Sequence, residues 1–120
     1  MSTVSFLCDE CVSDTLLAYL SQTEPAMVIL SVGQPEMPTK GTKDADLLVF
    51  AESLRLALLT RDQSTMPGHI ASHLAAEHHT WGVFFLRRGF PVKKIGNDLL
   101  LIWAASQAEE WQDRIEYLPW

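Results

Sequence analysis

The chain has 120 residues, the size of one ordinary domain with one core. Its 48% hydrophobic and 20% charged residues are typical of a globular protein. A formal charge of -6 excludes a simple basic nucleic-acid coat protein. It leaves open a nuclease, because bound cations reverse the local sign of an acidic site. No apolar run approaches bilayer length, and no leader pattern opens the chain, so no membrane association and a cytoplasmic location are expected.

Val4 to Cys8 is a short apolar run that breaks into Asp9-Glu10 and predicts a first strand. Val12, Leu16, Leu17 and Leu20 then recur at helical spacing, with Ser13 or Cys11 near the cap. Cys8 and Cys11 form a C-x-x-C at this junction. Without a preceding βα unit or an upstream Trp, it reads as a buried Cys8 and a helix-start Cys11, ahead of redox chemistry. Met27 to Leu30 predicts a second strand, apolar throughout as in a parallel strand covered on both faces. Gly33 to Lys43, with two Pro and two Gly, is a loop.

Asp44 or Thr42 caps a second helix marked by Leu47, Leu48 and Ala51. Leu56 to Thr60 predicts a third strand, running into Arg61-Asp62. Gln63 to Gly68 reads as a loop and Ile70 to His79 as a third helix. Trp81 to Leu86 is a fourth, aromatic-rich strand. Arg87 to Lys94 is a turn, Ile95 to about Trp111 the longest helix, and Ile115 to Leu118 an edge strand. The alternation β-α-β-α-β-α-β-α-β points to an α/β three-layer sandwich in a single domain, with a mainly parallel sheet of about five strands.

A parallel sheet places Asp9 and Asp62 at the same edge, where ligands of open α/β sheets bind. Asp44, at a helix start, leans over them. Carboxylates gathered without cationic partners repel, and a hard divalent cation relieves that cost. Mg2+ or Mn2+ suits such an all-oxygen site and can activate water for attack on a phosphodiester. The same Asp residues also serve as ordinary caps and turn formers.

These residues resemble the small single-domain PIN-like proteins, toxin-like ribonucleases of prokaryotic toxin–antitoxin pairs. The family's apolar strand and D-E-N are matched by Phe6-Leu7-Cys8-Asp9-Glu10-Cys11. Its D-x-x-[IL]-L-x-x-A helix is matched by Asp44 to Ala51, and its strand ending in T-x-D by Leu58-Leu59-Thr60-Arg61-Asp62. The resemblance spans the chain in order. It implies a PIN-like α/β/α sandwich and a Mg2+- or Mn2+-dependent endoribonuclease. Asp9, Asp44 and Asp62 would be the catalytic, metal-binding carboxylates, with Thr60 and Glu10 in support. It also implies RNA as substrate and an antitoxin protein as partner. Two positions depart from the family: Cys11 stands for Asn, and Ser64 for a carboxylate, which weakens metal binding. The alternative is a catalytically weakened PIN-fold protein acting by protein–protein association.

Arg61, Arg87, Arg88, Lys93 and Lys94 are the candidate RNA phosphate contacts. His69 and His73 have the i, i+4 spacing of a metal pair, but no third ligand is apparent, so they read as structural. His78 and His79 sit at the expected helix end, where imidazolium suits the dipole. Trp81, Trp103 and Trp111 read as core or interface aromatics. The apolar Trp120 terminus points to a partner or a homodimer.

Overall fold

The computed structural model describes residues 2–120, which form five strands and four α-helices in strict alternation. The strands are β1 (Phe6–Cys8), β2 (Ile29–Ser31), β3 (Ala57–Thr60), β4 (Val83–Leu86) and β5 (Ile115–Leu118). They make one sheet in the order β2-β1-β3-β4-β5, parallel throughout. The helices are α1 (Asp14–Thr23), α2 (Asp44–Ser53), α3 (Met66–Ala75) and α4 (Val92–Ala105). The architecture is the expected α/β sandwich.

Strand periodicity divides the core. Phe6, Cys8, Leu59, Phe84 and Leu86 face one way and pack with Leu16 and Leu20 of α1 and Ile95, Leu99 and Ile102 of α4. Leu7, Leu58, Val83 and Phe85 face the other way, against Leu47, Leu48 and Ala51 of α2 and Met66 and Ile70 of α3. The three central strands are buried on both faces, so they read as unbroken apolar runs.

Several element limits differ from the sequence expectation. β2 is an edge strand and only half-buried, although its apolar residues had pointed to cover on both faces. Ser13, one of the two expected caps, does cap α1: its Oγ accepts from Leu16 N at 3.2 Å. α2 is capped by neither Asp44 nor Thr42; Lys43 is the flanking residue and Asp44 the first helical one. α3 begins at Met66, inside the stretch expected to be loop, because Pro67 is harmless in a first turn that needs no N–H. It ends at Ala75, short of His79. α4 starts three residues early and stops at Ala105, where Ser106 bonds back to the Ile102 carbonyl. A separate 3-10 turn, Ala108–Trp111, follows.

Trp111 is buried against Phe84, ring centroids 5.1 Å apart, and its Nε1 donates to Ser106 Oγ at 2.7 Å. Trp120 stacks on Trp111 and donates from Nε1 to Glu116, so the exposed terminal ring is partly seated on its own chain. Among the described residues no helix is long and apolar enough to cross a membrane.

Candidate functional site at the carboxyl edge of the sheet

β1 and β3 are neighbours and run parallel, so the residues that follow them emerge side by side. Thr60, the last residue of β3, is fully buried and joins the two ends. Its Oγ1 donates to Asp9 Oδ2 at 3.0 Å, accepts from Asp62 N at 3.1 Å, and lies 3.8 Å from Cys11 Sγ. Asp9 is further fixed by its backbone N–H bond to Leu59 O and by Glu10 N, which donates to Oδ1 at 2.8 Å. Cys11, at the position where the PIN-like pattern has Asn, accepts from Arg61 N at 3.3 Å. Glu10 Oε1 accepts from Gly41 N at 3.2 Å, anchoring the long loop that leads to Asp44.

The two strand-end aspartates experience opposite environments. Burial pushes the Asp9 carboxyl up from its ordinary value. Donors Glu10 N and Thr60 pull it down, and the negative charges of Asp44 and Glu10 add to the rise. None of the described Lys or Arg side chains forms an ion pair with Asp9, Glu10 or Asp44. Asp44 instead has His69 Nε2 at 3.7 Å, so one of the two histidines read from the sequence as structural faces an acid.

Asp62 is held well below the usual carboxylate range, first by the Thr65 hydroxyl and amide, then by Ser64. Its Oδ1 accepts from Ser64 N, Ser64 Oγ and Thr65 N at 2.9–3.0 Å, and Oδ2 from Thr65 Oγ1. The carboxylate thus organises the turn that leads into α3.

Two hollows flank Cys11. One, of about 330 Å3, is lined by Asp9, Glu10, Ser31 and Lys40. The other, about 750 Å3, is lined by Arg61, Asp62, Ser64, Arg87, Arg88 and Phe90. Three of the five expected phosphate contacts therefore meet at one cleft. Lys93 and Lys94 lie instead in the first turn of α4, with Lys94 Nζ 5.8 Å from the Phe90 ring centre.

The oxygen donors at Asp9, Glu10 and Asp44 fit a hard cation by their chemistry and by the absence, among the described residues, of a Lys or Arg ion pair. Ser31, whose buried Oγ has no hydrogen-bond partner among the described residues, lines the same hollow as Asp9 and Glu10. Asp62 fits less well, since its two oxygens accept four protein hydrogen bonds where those of Asp9 accept two. Among the described residues, Asp9, Asp44 and Asp62 do not each bring an oxygen within 4.8 Å of the others. The one three-residue group that meets this spacing is Glu52, His73 and His78, and sequence reasoning had missed it. Glu52 lies 26 positions from His78, so no local spacing could have revealed the grouping.

The C-x-x-C is structural on the Cys8 side. Burial, with Cys11 and Asp9 nearby, pushes the Cys8 thiol to about 12, which leaves it almost no nucleophilic thiolate. Both cysteines are free. No family model matches the chain, and neither a curated protein nor a solved structure matches it.

Proposed function

We propose that the chain is a PIN-like, Mg2+- or Mn2+-dependent endoribonuclease, acting in the cytoplasm as the toxin of a toxin–antitoxin pair. The observation that carries this reading is the half-buried Asp9, flanked by Asp44 and Glu10 with no Lys or Arg ion pair to any of the three among the described residues, and set beside an arginine-lined cleft. Asp9 and Asp44 supply oxygen ligands, and Thr60 holds the Asp9 carboxylate in place. Arg61, Arg87 and Arg88 bind phosphates of the RNA strand. The bound cation would lower the pKa of a water and offset charge developing on the phosphate.

A second reading, a catalytically weakened PIN-fold module that works by association with an antitoxin-like protein or a second copy, has one observation on its side. Asp62 is committed to the Ser64–Thr65 turn, and Ser64 offers a hydroxyl where the family has an acid.

Cleavage of a mixed RNA pool in Mg2+ or Mn2+ separates the two. The enzyme reading expects cation-dependent products that fall, in Asp9→Asn and Asp44→Asn, by more than the roughly 10- to 100-fold lost with an outer-shell partner. RNA bound but uncut by the folded wild-type chain in both cations rules the enzyme out.

A further inference from the structure

We propose that Glu52, His73 and His78 form a second metal site, of the zinc class, at the opposite edge of the sheet from Asp9. This site does not depend on the nuclease reading. Glu52 lies in the last turn of α2, eight residues from Asp44 and thus about 12 Å away along the helix axis.

Three segments meet there. His73 is a buried residue of the last turn of α3. Beyond Ala75 the chain reverses at Glu77, whose φ is +67°, and brings His78 back over His73. The two imidazoles stack with centroids 4.7 Å apart and planes 17° apart. Both then address one oxygen: His73 Nε2 is 3.1 Å and His78 Nδ1 2.9 Å from Glu52 Oε1. His79 N donates to Glu52 Oε2 at 3.0 Å, which fixes the carboxylate.

The donor set decides the cation. Two imidazole nitrogens and one carboxylate oxygen are the three-ligand set of zinc sites that keep a fourth position open. Mg2+ and Ca2+, which favour oxygen alone, are disfavoured. A tetrahedral ion with bonds of about 2.0–2.1 Å holds its ligand atoms roughly 3.3 Å apart. The observed nitrogen–oxygen separations differ from that by a few tenths of an ångström. All three ligand atoms lie within 4.8 Å of one another, and His78, the half-exposed one, has solvent on its outer side.

A cation bound there would take the lone pairs of the two ring nitrogens that face Glu52, any proton on them passing to the other ring nitrogen or to solvent. His73 Nε2, which also lies 3.0 Å from His79 O, would give up that contact. Asp113, which pairs with His79 at 2.6 Å and lines the adjoining hollow with His78, adds negative potential.

The test uses the whole metal-free chain titrated with Zn2+, with Mg2+ as control, followed by calorimetry and thermal unfolding. One zinc per chain is expected, with a midpoint rise of about 10 °C at a hundredfold excess over Kd. The effect should disappear in Glu52→Gln and His78→Ala and persist in Asp9→Asn. X-ray absorption of zinc on the wild-type chain should show imidazole ligation, a readout that holds whether or not a variant folds. No zinc-dependent shift, a shift unchanged in folded His78→Ala, a shift lost in Asp9→Asn, or a ligand shell without imidazole overturns the proposal.

Discussion

Thr60 is the residue on which the carboxyl edge turns. With no exposed surface, it satisfies its hydroxyl by donating to Asp9 and accepting from Asp62 N, tying the two strand ends together. The carboxylates on either side then respond oppositely to pH. Asp62 is more acidic folded than unfolded, so its stabilisation is complete above the ordinary 3.8 and is lost as pH falls below it. Asp9 is less acidic folded, so its contribution weakens as pH rises from 3.8 through its raised value. Urea denaturation of Asp62→Ala is expected to show a loss of at least about 1 kcal/mol at neutral pH, the net worth of one hydrogen bond, because the Ser64 and Thr65 donors lose their acceptor. The acid-side fall in stability below pH 3.8 should also flatten in this variant. Asp9→Asn should be at least as stable as wild type at neutral pH, because it removes a partly desolvated charge facing other acids.

At the scale of elements, the contact between α1 and α4 rests on Gly96. A methyl group there would stand 2.5 Å from Tyr19 Cδ2 and 2.6 Å from Cε2. The absent side chain lets the Tyr19 ring lie across α4 and donate from its hydroxyl to Asn97 Oδ1 at 2.7 Å. Alanine inside a helix is otherwise better than glycine by roughly 0.5–1 kcal/mol. Gly96→Ala is therefore expected to destabilise the wild-type chain by about 1 kcal/mol, through displaced Tyr19 and its lost bond. In a Tyr19→Ala background the same change should be stabilising. Equilibrium unfolding of the four chains in this cycle checks the sign reversal.

Across the whole molecule the parallel sheet separates two chemistries. Its carboxyl edge gathers Asp9, Glu10 and Asp44 beside the Arg61, Arg87 and Arg88 cleft; its amino edge gathers Glu52, His73 and His78. The cleft is a basic island on a chain of net charge -6, so under the proposed nuclease reading RNA affinity should depend on a few arginines and fall steeply with salt. Arg87→Ala and Arg88→Ala are each expected to weaken binding across RNA sequences alike. Each should lower the slope of log K against log salt by about 0.7 for single-stranded RNA. Filter binding at several salt concentrations reads both effects, and an unchanged slope would remove the cleft from the interface.

The strand–helix alternation, a parallel sheet with helices on both faces and the edge position of β5 were legible in the order of residues, whereas β2, apolar enough to suggest cover on both faces, proved to be a half-buried edge strand. Legible too was the placing of Asp9 and Asp62 at one edge, since parallel strands all end on the same side. That β1 and β3 are neighbours joined by Thr60 was decided by the tertiary structure. The start of α3 was hidden, because Pro67 and Gly68 resemble a loop until the first turn's spare amide is counted. Only the tertiary structure decided that Asp62 spends its oxygens on the Ser64–Thr65 turn and that His73 turns from His69 toward Glu52 and His78. Those outcomes depend on where a helix stops and on how separate segments stack, and neither is encoded in the spacing of any one stretch.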